Sequence, residues 1–147
     1  MLDLFSAIDI SSAALDAQRT RINILSGNLA NINSTRTEEG GPYQKRNAIF
    51  SAEPVSDEFD TQLHHKLREG VRTVEVTDIV TENREPRKVY DPHHPDADKH
   101  GYVAFPNINM MEELVNIMTA SRSYEANITA MNSTKSMLLQ ALQIGKA

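Results

Sequence analysis

Residues 107–147, NINMMEELVNIMTASRSYEANITAMNSTKSMLLQALQIGKA, decide the architecture. At a seven-residue repeat the inner positions read Met110, Leu114, Ile117, Ser121, Tyr124, Ile128, Met131, Lys135, Leu138 and Leu142. Eight of these ten are apolar or aromatic, and neither Pro nor Gly interrupts the run before Gly145. The pattern predicts a long helix whose stripe meets another helix. Its partner stands at the other end of the chain. There Leu4, Ile8, Ser11, Leu15, Gln18, Ile22, Leu25, Leu29 and Ile32 recur at alternating spacings of four and three. A helix of roughly 30 residues spans about 45 Å. The expected fold class is α+β: long N- and C-terminal helices paired as an antiparallel coiled coil, with a small β-rich domain inserted between them. In domain terms, residues 1–35 plus 108–147 form the helical unit. Residues 36–107 form the β-rich middle, with a variable linker around 53–70.

The outer faces of the two helical stretches are as informative as their stripes. Residues 1–33 carry only Asp3, Asp9, Asp16, Arg19 and Arg21 as charged side chains. Residues 108–147 carry only Glu112, Glu113, Arg122, Glu125, Lys135 and Lys146. A lone coiled coil in water flanks its seam with many Glu and Lys residues. Small, uncharged outer faces suit helices packed on several sides, so the ends read as an assembly surface. Lys135, Ser121 and Gln18 fall at inner positions, where polar groups cost stability and can fix register or partner number.

With 147 residues there is room for one ordinary domain, or a small domain with an extended helical element. A net charge of −5 argues against nucleic acid as partner, because that requires clustered Lys and Arg. The absence of cysteine removes disulfides, thiolate catalysis and Cys-ligated metal. Asp3 and Asp9 interrupt what would be the apolar core of a signal peptide, and no run approaches the ~18 apolar residues of a membrane span. The expectation is therefore no direct membrane insertion.

Between the ends, residues 34–42 read as a loop with two adjacent glycines. Residues 43–52 predict a strand with Ile49 and Phe50 in its buried part. Residues 71–80, VRTVEVTDIV, predict the clearest strand, with Val74, Val76 and Val80 on one face. Residues 87–90 and 102–105 predict two short strands closed by Asp91-Pro92 and Pro106.

The densest polar constellation is the run from Asp91 to His100, DPHHPDADKH. A transition metal on His93, His94 and His100 is one reading. The spacing favours a turn instead, with Asp91 and Asp96 capping backbone amides. His64 and His65 read as a solvated pair, and Asp57 with Glu58 would need a formed cleft to serve as acid and base. Neither a Gly-x-Ser-x-Gly elbow nor a phosphate loop occurs. No catalytic, metal or cofactor-binding residue is assigned, and the chain is expected not to be an enzyme. A helical-hairpin adaptor or binding module of a secretion apparatus is the alternative, followed by a His/Asp metal-dependent enzyme.

Two motifs carry a family resemblance. The run Asn28-Leu29-Ala30-Asn31-Ile32-Asn33-Ser34-Thr35 resembles the N-terminal signature of the bacterial flagellar axial proteins, the rod, hook and hook-associated family. The run from Ala120 to Asn127, ASRSYEAN, with Met131, Lys135 and the later ALQIG, resembles the matching C-terminal signature. The segment VYDPHHPDAD from Val89, then Gly101-Tyr102-Val103 and Pro106-Asn107, is similar to proximal-rod members. The resemblance implies a structural subunit of the proximal rod of the flagellar basal body. Such a subunit assembles helically with copies of itself and with other axial proteins into a hollow, torque-transmitting drive shaft. The implied partners are proximal and distal rod subunits, the rod-to-export-gate adaptor and the flagellar type III export apparatus. The implied location is the basal-body rod in the periplasmic space, reached without a cleaved signal peptide. The residues expected to carry assembly are Leu4, Ile8, Leu15, Ile22, Leu25, Asn28, Leu29, Asn31, Ile32, Leu114, Ile117, Tyr124, Glu125, Asn127, Ile128, Met131, Leu138 and Leu142.

Overall fold

The computed structural model describes residues 2–54 and 72–144, with side chains described over residues 6–53 and 72–144. The side chain of Leu4 and nearly all of the expected linker, with Asp57, Glu58, His64 and His65, lie outside the described residues. The elements in chain order are α1 (Leu2–Ala30), β1 (Arg46–Pro54), β2 (Arg72–Thr81), β3 (Arg87–Tyr90), β4 (Tyr102–Phe105) and α2 (Met110–Ile144). The architecture is α+β, with two long helices and two small antiparallel sheets. No described helix is long and apolar enough to cross a membrane.

Local chemistry sets the element ends. Asn109 caps α2: its Oδ1 accepts from the amides of Met111 (3.0 Å) and Glu112 (3.4 Å), two of the donors a helix start leaves open. Glu112 and Glu113 add negative charge where the helix dipole favours it. At the other junction α1 stops at Ala30, and Asn31 folds its Nδ2 back onto the Gly27 carbonyl (2.9 Å). Asn31 also accepts from the Ser34 hydroxyl at 3.0 Å, which fixes the exit of the chain.

β1 and β2 pair from Arg46↔Thr81 to Pro54↔Arg72. Ile49 faces Asp78 but Phe50 faces Val76, so a bulge leaves Thr77 without an opposite residue. This alters the sequence expectation for these strands. Ile49 and Phe50 are exposed rather than buried, and Val74 and Val80 are exposed beside a half-buried Val76. A strict alternation of faces presumes an unbroken ladder, and the bulge breaks it. β3 and β4 pair from Arg87↔Phe105 to Tyr90↔Tyr102. The rings of Tyr90 and Tyr102 meet edge to face with centroids 5.3 Å apart.

The core lies mainly around α1, which packs on α2 and on the β1–β2 hairpin, and Ala17, Leu25 and Ala120 are its buried apolar residues in the helices. Val103 and Pro106 are buried apart from it, at the end of the short sheet. α1 packs against α2, β1 and β2, whereas α2 packs against α1 alone among the described elements.

The covered line of α2 is not the one expected from apolarity. Glu113, Ala120 and Thr134 are buried, and with the half-covered Ile117, Tyr124, Asn127, Met131 and Leu138 they form a line spaced alternately by four and three; Asn116, Ser121 and Ser123 are half-covered beside it. Ile117, Tyr124, Met131 and Leu138 were expected there. Met110, Leu114, Ile128, Lys135 and Leu142 were also expected there, yet they are exposed; Ser121, expected there too, is half-covered like Ile117 and Tyr124. The two heptad lines share four residues and differ by one position in the others. Apolar content favours the line with Leu114 and Ile128, and so points to the wrong one. Small side chains at Ala120 and Thr134 allow close approach, and Glu113 finds buried partners.

Gly101 closes the turn before β4 with φ +81°, and a Cβ there would sit 2.9 Å from Tyr90 Cε2. Gly101→Ala is expected to lower stability by at least the roughly 1–2 kcal/mol of a left-handed backbone. Gly27→Ala, in open space inside α1, is expected to raise it by up to about 1 kcal/mol. Paired urea unfolding curves check the opposite signs.

Candidate assembly interface

The end of α1, the start of α2 and the entry to β1 meet at one buried polar cluster. Asn28 and Glu113 are each 0% exposed, and Lys45 is 9% exposed. The Asn28 amide uses its full capacity. Nδ2 donates to the Arg46 carbonyl (2.9 Å) and to Glu113 Oε2 (3.2 Å). Oδ1 accepts from the Arg46 amide (2.9 Å) and the Tyr43 hydroxyl (3.1 Å). Lys45 Nζ lies 2.7 Å from Glu113 Oε1 and 3.5 Å from Glu112 Oε1.

A buried carboxylate is tolerable only with partners of this quality. Burial pulls the Lys45 ammonium toward a lower pKa, but the hydrogen bond and charge of Glu113, aided by Glu112, outweigh it and hold the group above the usual lysine range. Burial also raises the Tyr43 hydroxyl, with the nearby Arg46 opposing and Glu113 reinforcing. Both groups hold their protons more tightly in the folded chain, so their contribution is complete at neutral pH and is lost on the alkaline side.

The histidine and aspartate run is a turn. Asp91 Oδ1 accepts from the His93 amide (3.2 Å), and Asp98 Oδ1 accepts from the amides of His100 (2.8 Å) and Tyr102 (2.9 Å). Those two backbone bonds, Tyr102 first, draw the Asp98 carboxyl below the usual carboxylate range. Asp96, expected to cap an amide, instead accepts from the Thr35 hydroxyl at 2.8 Å and ties this loop to the chain leaving α1. The cap lands on Asp98 because that residue precedes the Gly101 turn. His94 Nδ1 accepts from the Asp96 amide (3.1 Å), and its ring meets Phe105 edge to face. Among the described residues no group of three or more His, Cys, Asp or Glu is placed to hold a metal ion.

The residues named from sequence fall into three places. Leu25 and Asn28 are buried; Ile8, Leu15, Ile22, Leu29, Asn31, Ile32, Ile117, Tyr124, Asn127, Met131 and Leu138 are half-covered. Leu114, Glu125, Ile128 and Leu142 are exposed. Beside these last lies apolar surface that sequence periodicity did not select: Met111 (67% exposed), Val115, Met118, Met137, Leu139 and Ile144 (79%). α1 exposes a different edge, Asp9, Ser12, Asp16, Arg19, Asn23, Ser26 and Ala30, continued by Asn33 in the turn after it, which is polar except at Ala30. Sequence reasoning also missed Tyr43, Lys45 and Glu113. The sequence offered little signal for them, because a Glu in the first turn of a helix is ordinary and its partner lies far away in the chain.

Removing one member of the ion pair strands the other. Lys45→Met is expected to lower the unfolding free energy by about 3–5 kcal/mol in urea titration. Stability of the native chain is expected to fall from roughly pH 10 upward, as Tyr43 and Lys45 lose their protons. Thermal melts should show a flatter alkaline limb for the Lys45→Met/Glu113→Gln double variant.

Comparison with known proteins gives this geometry its setting. Residues 99–144 match the family model described as the flagellar basal body rod FlgEFG protein C-terminal region. The chain is 42% identical over 154 aligned positions to the flagellar basal-body rod protein FlgC of Borreliella burgdorferi, covering 97% of this chain and 98% of that one. It is 38% identical over 149 positions to FlgC of Bacillus subtilis, with the same coverage. It is 35% identical over 143 positions to FlgC of Salmonella typhimurium, again at 97% and 98%. Similarity of this degree over nearly the whole length of both chains shows that this chain belongs to the FlgC family of flagellar basal-body rod proteins.

Proposed function

We propose that the chain is a structural, non-enzymatic subunit of the proximal part of the flagellar rod. It joins copies of itself and other rod subunits in a helical tube that transmits torque. Family membership supports the rod assignment. The observation that carries the assembly reading is the apolar surface that α2 leaves exposed: Met111, Val115 and Met118 along one face near its start, and Met137, Leu139, Leu142 and Ile144 around its last turns, on a helix whose one packed element among those described is α1. Exposed apolar surface of this kind marks a contact site. In this reading residues 1–35 and 108–147 form one helical assembly unit, paired as an antiparallel coiled coil, and residues 36–107 flank it. The rod-to-export-gate adaptor and the flagellar type III apparatus are its further partners. The rod in the periplasmic space is its place.

Heterologous contacts repeated around a screw axis build a tube. Each large apolar side chain contributes about 1.5–3 kcal/mol when fully buried, against an ordering cost of about 1–2 kcal/mol per backbone residue. The terms are close enough that the helix regions far from the Asn28 junction gain full order only in company.

Deleting the chain in its host is expected to abolish motility and rod formation; intact filaments would refute the assignment. Val115→Asp with Met118→Asp is expected to block motility while shifting subunit stability by no more than about 0.5 kcal/mol, since both positions face solvent in the subunit. Circular dichroism is expected to give the free chain markedly less helix than the assembled state.

A further inference from the structure

α2 carries two alternative edges beside the shared line Ile117, Tyr124, Met131 and Leu138. One is Glu113, Ala120, Asn127 and Thr134; the other is Leu114, Ser121, Ile128 and Lys135. Turning α2 by about 50° on its axis exchanges them, because one residue subtends 100°. The structure covers the first edge, which has a carboxylate, an amide and a hydroxyl. It leaves out the edge with Leu114 and Ile128. Hydrophobic burial by itself favours the opposite choice at both of those positions.

We infer that the Asn28–Glu113–Lys45 cluster sets the rotational register of α2 on α1 and so determines which face of α2 is left for a neighbouring subunit. The register is a property of the isolated chain; only its consequence for the neighbour rests on the rod reading. In the rotated arrangement Glu113 leaves both Lys45, now 2.7 Å away, and Asn28, now 3.2 Å away. The buried Asn28 amide would then keep only its bonds to Tyr43 and Arg46, and the Lys45 ammonium would stay covered without its closer counter-charge. A polar group at a seam position excludes the registers in which its partner is absent, even when those registers are more apolar. Lys135 acts in the same direction at the far end, since rotation would carry its charge inward. Glu113 is thus a positioning residue for an interface it does not touch.

The chain contains no cysteine, so single Ala120→Cys and Ser121→Cys probes in the full-length purified protein report the register through thiol modification by a maleimide. Both positions lie about two turns from Glu113, in the part of the pair that the cluster anchors. Ala120 is 1% exposed and Ser121 half-covered, so the probe at Ser121 is expected to react at least about tenfold faster. In the Asn28→Leu/Lys45→Met/Glu113→Ala background the order is expected to invert. Native order in that background, with helix content retained, would overturn the inference. Should the background lose its helices, the milder Glu113→Ala variant alone is labelled. There the excess of the Ser121 rate over the Ala120 rate is expected to shrink by at least about threefold, and an unchanged ratio with helix content retained would equally overturn it. Labelling is read on the free chain, so its failure leaves rod membership standing. Unimpaired motility on deletion would remove the rod reading and leave the labelling order intact.

Discussion

The fold depends on the Asn28 carboxamide, a neutral group with two donors and two acceptor sites, all four used. It receives the backbone entering β1, the hydroxyl of Tyr43 and the carboxylate opening α2. A fully buried amide with any of these missing carries an unmet hydrogen bond, which costs about 1–3 kcal/mol. Glu113 imposes the same demand with a full charge, and Lys45 meets it from the loop. The helix end, the strand entry and the second helix therefore cannot shift independently. Three segments distant in sequence are bound into one joint by groups that each require the other two.

That joint explains an arrangement that hydrophobic patterning alone would not produce. The interior seam of α2 is built partly from small and polar side chains, and its solvent side carries Met, Val and Leu. In a self-sufficient domain this distribution would be poor, because apolar surface left in water forgoes its main contribution to stability. Under the proposed assembly it separates two tasks. Specific polar contacts define the shape of the single chain, and nondirectional apolar contacts are held back for its neighbours. α1 makes the complementary choice, since the hairpin and α2 cover most of its circumference and the edge left to solvent is almost wholly polar.

Much of the fold was legible because its punctuation is local. Asp91-Pro92 and Pro106 bound β3 and β4 to the residue, since proline restricts the residue before it and ends the ladder. The helices were legible from period and from the absence of breakers, and Asn28 and Asn31 stood out through the motif that contains them. Three things were not legible. Thr77 bulges without any proline or glycine to mark it. The choice between Glu113 and Leu114 as seam residue depends on Lys45 and Asn28, which lie 68 and 85 positions away from Glu113 in the chain. Ile49 and Phe50 look like core residues of a strand, yet in a two-stranded hairpin there is little to cover them. Local chemistry is written next to the residues it governs; a tertiary partner is not.

The placement of the tethers also bears on how such a chain carries load. The hairpin of β1 and β2 is fixed to α1 through the bonds between Asn28 and Arg46. The loop between β3 and β4 is fixed to the chain leaving α1 through Thr35 and Asp96, and β4 runs within four residues into α2. Both sheets are therefore tied to the same end of the helix pair, and twisting either against the helices must first break the paired Asn28–Arg46 bonds or the charge-assisted Thr35–Asp96 bond. A neighbour packed along α2 would add its contacts against a joint that is already closed. Stiffness within each subunit and adhesion between subunits then come from different chemistry at different places. Either can change without loosening the other.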